Sequence, residues 1–145
     1  MELIAIALSA VAILVSLWGF IVDNRMNAAN LQADYFKNIF EKYFMTEIPK
    51  KLECIYFESN GCLSEDYKQL TMSLMDMLGD SIYFKFANDT FYYKLNNKIA
   101  DLDDKLIKYS KKTYKKSKQE ELMSEIHNDI KKIIKLVNKY YKKGF

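Results

Sequence analysis

The hydrophobic pattern of the chain begins with its longest apolar run, residues 3–22, which contains no charged residue and no proline. A helix rises about 1.5 Å per residue, so twenty such residues extend about 30 Å, the thickness of the hydrocarbon core of a bilayer. The pattern therefore predicts a single N-terminal transmembrane helix. Residues 1–22 would form the anchor, and residues 23–145 a separate domain behind it.

The flanks of this run distinguish an anchor from a cleaved signal peptide and predict its orientation. Glu2 stands where a secretory signal has basic residues, and large residues such as Trp18 occupy the place of a small-residue cleavage site. Arg25 follows the run, whereas no Lys or Arg precedes it. Because basic flanks stay on the cytoplasmic side, we expect the N-terminus outside the plasma (inner) membrane and residues 23–145 in the cytoplasm.

The same run carries a stripe of small residues at alternating spacings of four and three. Such a stripe lets two helix backbones approach closely in lipid, so it predicts self-association into a homo-oligomer. In a larger ring, the serine hydroxyls would line a narrow polar path, as in a pore. The residues of the stripe are Ala5, Ser9, Ala12, Ser16 and Gly19.

Behind the anchor, apolar residues recur at helical spacing in several segments joined by short polar turns, which predicts an all-α, small cytosolic helical bundle. We expect the first helix to continue to about Met45 and Pro49 to end or restart the helix, because proline lacks an N–H donor. Ser64 is the expected N-cap of a later helix. The expected buried face of that helix is Tyr67, Leu70, Leu74, Met75 and Leu78.

Two long apolar seams of the coiled-coil type dominate the C-terminal third. A polar turn joins them, so they predict an antiparallel helical hairpin. Asn88 is the expected cap of the first helix, and Asp101–Lys105 and Asp104–Lys108 are expected pairs on its solvated face. The seams are Phe91, Leu95, Ile99, Leu102, Leu106 and Tyr109, then Leu122, Ile126, Ile130, Ile133, Val137 and Tyr140.

Positive charge is concentrated at the C-terminal end of the chain. The formal net charge is only +3, but residues 105–145 hold thirteen lysines against four acids. The densest cluster lies between the two seams, and three interpretations stay open: a solvated loop, contact with anionic lipid headgroups, or binding of a nucleic acid or oligonucleotide with base stacking on tyrosine. Arg25 is the only arginine, which disfavours sequence-specific DNA readout. The cluster is Lys111, Lys112, Tyr114, Lys115, Lys116 and Lys118.

Residues that carry enzymatic chemistry are sparse. His127 is the only histidine, and the chain has no glycine-rich phosphate loop, so we expect no metal, no cofactor and no catalytic residue. Cys54 and Cys62 flank a turn and should stay reduced in the cytoplasm.

These patterns favour a non-enzymatic, single-pass (bitopic) membrane protein. Its cytosolic domain would act as an interaction or adaptor module for a protein partner, while the transmembrane helix self-associates in membrane lipid. The alternative is a small pore-forming or membrane-disrupting effector, gated by that domain, of the kind found in bacterial stress or phage-defence modules.

Overall fold

The structure is a computed structural model that describes residues 2–143, without the side chains at 2–12, 14, 25, 27–29, 31–32 and 142–143. The chain divides into two compact units, Met1–Tyr35 and Phe36–Phe145. The described residues contain helices and turns and no strand, apart from one isolated bridge between Phe57 and Leu63. The predicted all-α fold is therefore confirmed.

The described elements follow one another with short connections. In chain order they are α1 (Glu2–Ile39), a π-helix (Phe40–Glu47), α2 (Ile48–Glu53), α3 (Tyr67–Asp80), α4 (Phe84–Ala87), α5 (Asp89–Ser110) and α6 (Lys116–Lys143).

The first unit consists of α1 up to Tyr35, so the helical conformation predicted for residues 3–22 is confirmed. Within the part of the chain that the structure describes, no helix is both long and apolar enough to cross a membrane. Eleven of the twenty side chains at 3–22 lie outside the described set. That this helix crosses a membrane is still a prediction.

The stripe of small residues falls largely on the same undescribed side chains. Those of Ala5, Ser9 and Ala12 lie outside the described residues, whereas Ser16 and Gly19 are exposed. Self-association through this stripe likewise stays a prediction.

The second unit is built on the predicted hairpin of α5 and α6. Every residue of the two predicted seams is buried except Tyr140, which is partly buried. Asn88 caps α5 as predicted, because its side-chain oxygen accepts a hydrogen bond of 3.0 Å from the Phe91 amide. The rings of Phe36, Phe84 and Phe91 pack together near the start of α5, with centroids 4.7–5.5 Å apart.

The predictions for the segment around α2 and α3 were partly wrong. Pro49 does restart the chain, in the first turn of α2. Ser64, however, caps no helix: it is buried, and its hydroxyl accepts a hydrogen bond from the Tyr56 amide. Met75 is exposed, and Met77 occupies the core position instead.

The π-helix replaces the α-helix that the sequence predicted up to Met45. It buries Tyr43, whose hydroxyl donates a 2.6 Å hydrogen bond to Asp80 at the end of α3. Lys42 donates a second bond, of 2.8 Å, to the same carboxylate. The hydrogen bond from Lys42, supported by that from Tyr43, holds the pKa of Asp80 below its usual value. This cluster joins the π-helix to α3.

The ion pairs of α5 also differ from the prediction. Lys105 pairs with Asp129 of α6 rather than with Asp101. Burial alone would raise the pKa of Asp129, but hydrogen bonds from Lys105 and Lys132 lower it below its ordinary value. Asp103 accepts a hydrogen bond of 2.9 Å from Thr71 of α3. Asp129 and Asp103 therefore join helices, and neither predicted i,i+4 pair, Asp101–Lys105 or Asp104–Lys108, is found among the ion pairs of the described residues.

Candidate functional site

The turn between α5 and α6 together with the first three residues of α6, residues 111–118, presents the densest positive charge of the second unit. We call it the basic turn. Its eight residues include five lysines and no acid, and all five lysine side chains are exposed. The structure thus brings together the lysines that the sequence singled out: Lys111, Lys112, Lys115, Lys116 and Lys118.

The loop between α2 and α3 holds the basic turn in place. The Tyr114 amide donates a 2.9 Å hydrogen bond to the Gly61 carbonyl, and the Gln119 side chain donates one of 2.8 Å to the Tyr114 carbonyl. One residue further along the loop, the Cys62 sulfur lies 3.7 Å from the Thr113 hydroxyl. These contacts fix the backbone between the lysines, so the lysine side chains project from a backbone of defined position.

Tyr114 contributes to this support rather than to an open binding surface. Its side chain is half-buried, and its ring packs edge-on against Phe57 at 6.2 Å and against Tyr109 at 5.8 Å between centroids. Tyr109 is itself held by a 2.5 Å hydrogen bond to Glu125. A base could stack on Tyr114 only after this packing was disrupted, which weakens the stacking interpretation.

Most of the positive charge in the turn is uncompensated. Lys118 pairs with Glu121 at 2.5 Å, and this hydrogen bond raises the pKa of Lys118. The other four lysines make no ion pair with any residue in the described part of the chain. Several like charges held close together create a positive potential that attracts anions over a distance of about 8 Å at physiological salt.

Gly61 is required where the supporting loop meets the basic turn. Its φ angle is +82°, and a Cβ atom placed there would lie 2.6 Å from the Tyr114 carbonyl oxygen. Only glycine tolerates both conditions, because an L side chain at positive φ is strained. The sequence predicts a turn at Gly61, but it does not predict the contact of Gly61 with Tyr114, more than fifty positions away.

We predict that Gly61→Ala lowers the free energy of unfolding by about 1–3 kcal/mol, because it adds strain and displaces the turn. Gly79→Ala is the matched control: Gly79 lies in α3, and no atom outside its own stretch of helix lies within 4 Å of the point where a Cβ atom would be, so alanine should stabilise by about 0.5–1 kcal/mol. Denaturant unfolding of the full chain in detergent measures both. Equal effects of the two substitutions would contradict the role given to Gly61.

The basic turn lies at the far end of the second unit from the point where the chain enters it. Phe36, the first residue of the unit, contacts Phe91 in the first turn of α5, with ring centroids 5.5 Å apart. The basic turn follows Ser110, the last residue of α5. At about 1.5 Å per residue, α5 separates the two points by roughly 30 Å.

A cavity of about 310 Å³ opens beside the π-helix, and no sequence pattern had indicated it. Phe40 and Met45 of the π-helix line it together with Tyr141 of α6. Eight residues of π-helix give side chains a spacing that helical periodicity does not anticipate. The cavity is apolar with a polar edge.

Residues with catalytic or metal-binding potential are dispersed. His127 is exposed on α6, with its Nδ1 2.8 Å from the Met123 carbonyl oxygen. Cys54 is exposed and Cys62 partly buried, both as free thiols. Among the described residues, no group of three or more His, Cys, Asp or Glu side chains could hold a metal ion.

The fold and the site together define an all-helical bundle with a lysine-rich hairpin turn. No protein-family model matches the chain, and neither a curated protein nor a solved structure matches it.

Proposed function

We propose that this protein is a non-enzymatic adaptor, anchored in the plasma membrane by residues 3–22 and self-associating there. Its cytoplasmic bundle would bind an acidic protein partner through the basic turn.

One observation supports the anchor: large apolar side chains are exposed over most of the circumference of α1 in the first unit. Successive residues turn by about 100°, so positions 13, 15, 17, 18, 20 and 21 cover about 220° of the helix surface, and the small residues Ser16 and Gly19 occupy the remaining side. A helix without a charged side needs either lipid or other apolar helices around it. The exposed residues are Ile13, Val15, Leu17, Trp18, Phe20, Ile21 and Val22.

The composition and packing of the basic turn support an acidic protein as its partner. Four of its five exposed lysines make no ion pair in the described part of the chain, so they are available to carboxylates. The turn lacks arginine, which base readout favours, and its Tyr114 ring packs against Tyr109.

The test is binding of poly-glutamate to the full chain in neutral lipid nanodiscs. Lys112→Glu with Lys115→Glu should weaken this binding about tenfold, because it reverses two charges in the centre of the turn. The matched control reverses Lys131 and Lys135, two exposed lysines further along α6.

Equal weakening by the control pair would contradict a specific role of the turn. A preference for nanodiscs with anionic lipid, or for a single-stranded oligonucleotide, over poly-glutamate would overturn the choice of partner.

A further inference from the structure

The loop between α2 and α3 contains a short antiparallel pair of extended segments. The Ser64 amide donates a 2.8 Å hydrogen bond to the Tyr56 carbonyl, and the Glu58 amide donates one of 2.9 Å to the Cys62 carbonyl. Phe57 lies between these two bonds, in the isolated bridge. Because the direction of the backbone groups alternates along an extended chain, the N–H and C=O of Phe57 point away from the opposite segment.

The two outer edges of this pair differ. On one edge, the Leu63 amide donates a 3.2 Å hydrogen bond to the Tyr109 carbonyl in the last turn of α5. On the other edge, the Phe57 amide and the carbonyls of Ile55 and Phe57 make no hydrogen bond within the described part of the chain. We call residues 55–57 the open edge. Unpaired backbone groups of this kind are a template for a further strand.

A groove of about 680 Å³ lies between the open edge and α6, and residues of both line it. On α6 its wall includes Gln119, Met123 and Ser124. Its volume is within the range of ligand-binding clefts, about 300–1,000 Å³. The Gln119 side chain also donates the 2.8 Å hydrogen bond to the Tyr114 carbonyl. The groove therefore begins beside the basic turn and continues along α6.

The charges around the groove are unevenly distributed. At its beginning, Lys115 and Lys116 of the basic turn are exposed and make no ion pair with a described residue. Further along α6, Glu120 lines the groove with its carboxylate exposed, and Met123 and His127 follow. An occupant is therefore favoured when its acidic residues lie at the basic turn and its uncharged residues lie further along the groove.

We propose that the groove binds an extended acidic segment of the partner protein, which adds as an antiparallel strand to the open edge. The inference rests on the proposed function, because the acidic residues of this segment contact the basic turn. The open edge runs toward Gly61, which contacts the basic turn, so an antiparallel strand begins at the turn and runs away from it. Main-chain hydrogen bonds to Ile55 and Phe57 supply affinity, and the lysines select acidic side chains.

The test measures, by fluorescence anisotropy, the binding of a labelled peptide to the full chain in neutral lipid nanodiscs. In this peptide a run of aspartates precedes an alternation of valine and threonine. Every second residue of an added strand points its N–H toward the open edge. N-Methylation of the valines and N-methylation of the threonines, in two separate peptides, should therefore differ: one should weaken binding about tenfold and the other less than about twofold. Equal effects, or no binding of the parent peptide, would overturn the inference.

A substitution in the groove tests the same inference from the side of the protein. Ser124→Trp places a large ring in the groove and should weaken binding of the parent peptide about tenfold. Asn128→Trp is the matched control, because Asn128 is exposed one turn further along α6 and does not line the groove. Far-UV circular dichroism checks that both variants fold. Unchanged binding by Ser124→Trp, or equal weakening by the control, would contradict the inference.

The proposed function is judged separately, by the binding of the same peptide to the Lys112→Glu, Lys115→Glu variant. Weakening by this charge reversal but not by Ser124→Trp would support the basic turn and reject strand addition. Weakening by Ser124→Trp but not by the charge reversal would support the open edge and reject the acidic partner. Dimerisation of the protein alone that Ser124→Trp abolishes would make a second copy the occupant and overturn the inference.

Discussion

Two lysines placed in the N-terminal segment, Ile13→Lys and Leu17→Lys, are expected to transfer the protein from the detergent-rich to the aqueous phase in a phase-partition assay. Both side chains are exposed on α1. A lysine near the centre of a membrane helix costs about 2.5–3.5 kcal/mol, so the pair costs about 6 kcal/mol and shifts the partition by about four orders of magnitude.

Asn30→Lys is the control for this experiment. Asn30 is exposed on the same helix but lies outside the apolar run, so its substitution should leave the protein in the detergent-rich phase. If the double-lysine variant partitioned as the wild type does, the segment would not be held by apolar burial, and the anchor would be wrong.

The second large effect concerns the core of the bundle. Phe91 is fully buried, and its ring contacts Phe36, Phe84 and Tyr140 at centroid distances of 5.0–5.5 Å. Phe91→Ala should therefore lower the free energy of unfolding by about 3–5 kcal/mol, through lost burial and the cavity left behind. Denaturant unfolding of the full chain in mild detergent measures this.

Tyr93→Ala is the matched control for the core prediction. Tyr93 lies two residues along the same helix and is 52% exposed. Tyr93→Ala should lower the free energy of unfolding by less than about 1 kcal/mol. A similar loss for both residues would mean that the rings near the start of α5 do not form the core as described.

The hairpin of α5 and α6 could be predicted from the sequence because its signal is local and repeated. Each helix carries six apolar residues in a regular seam, and the other apolar residues that pack against the core, such as Ile107 and Ile134, flank that seam. Asn88 could be predicted as a cap for the same reason, since the capping bond spans three residues.

The segment from α3 to α4 could not be predicted in the same way, because it has two apolar faces. Met75 and Met77 both fit a helical pattern, and only the position of the neighbouring helices decides that Met77 is buried. Ser64 illustrates the same limit, because its partner Tyr56 comes from an extended loop and not from the following helix.

Only the exposed lysines of the candidate site could be predicted from the sequence. The lysines of the basic turn are exposed, as a run of charges in a turn usually is. The partial burial of Tyr114 depends on Gly61 and Phe57, more than fifty residues earlier in the chain. A contact of that separation leaves no pattern in a single sequence. The same holds for Lys105, whose carboxylate partner Asp129 lies on the other helix of the hairpin.

The membrane anchor is the central claim, and washing native membranes with alkaline carbonate tests it most directly. Carbonate removes proteins held by charge or by other proteins, whereas a helix buried in lipid stays with the membrane pellet. We predict that the wild-type protein remains in the pellet. Recovery of the protein in the supernatant would contradict the claim.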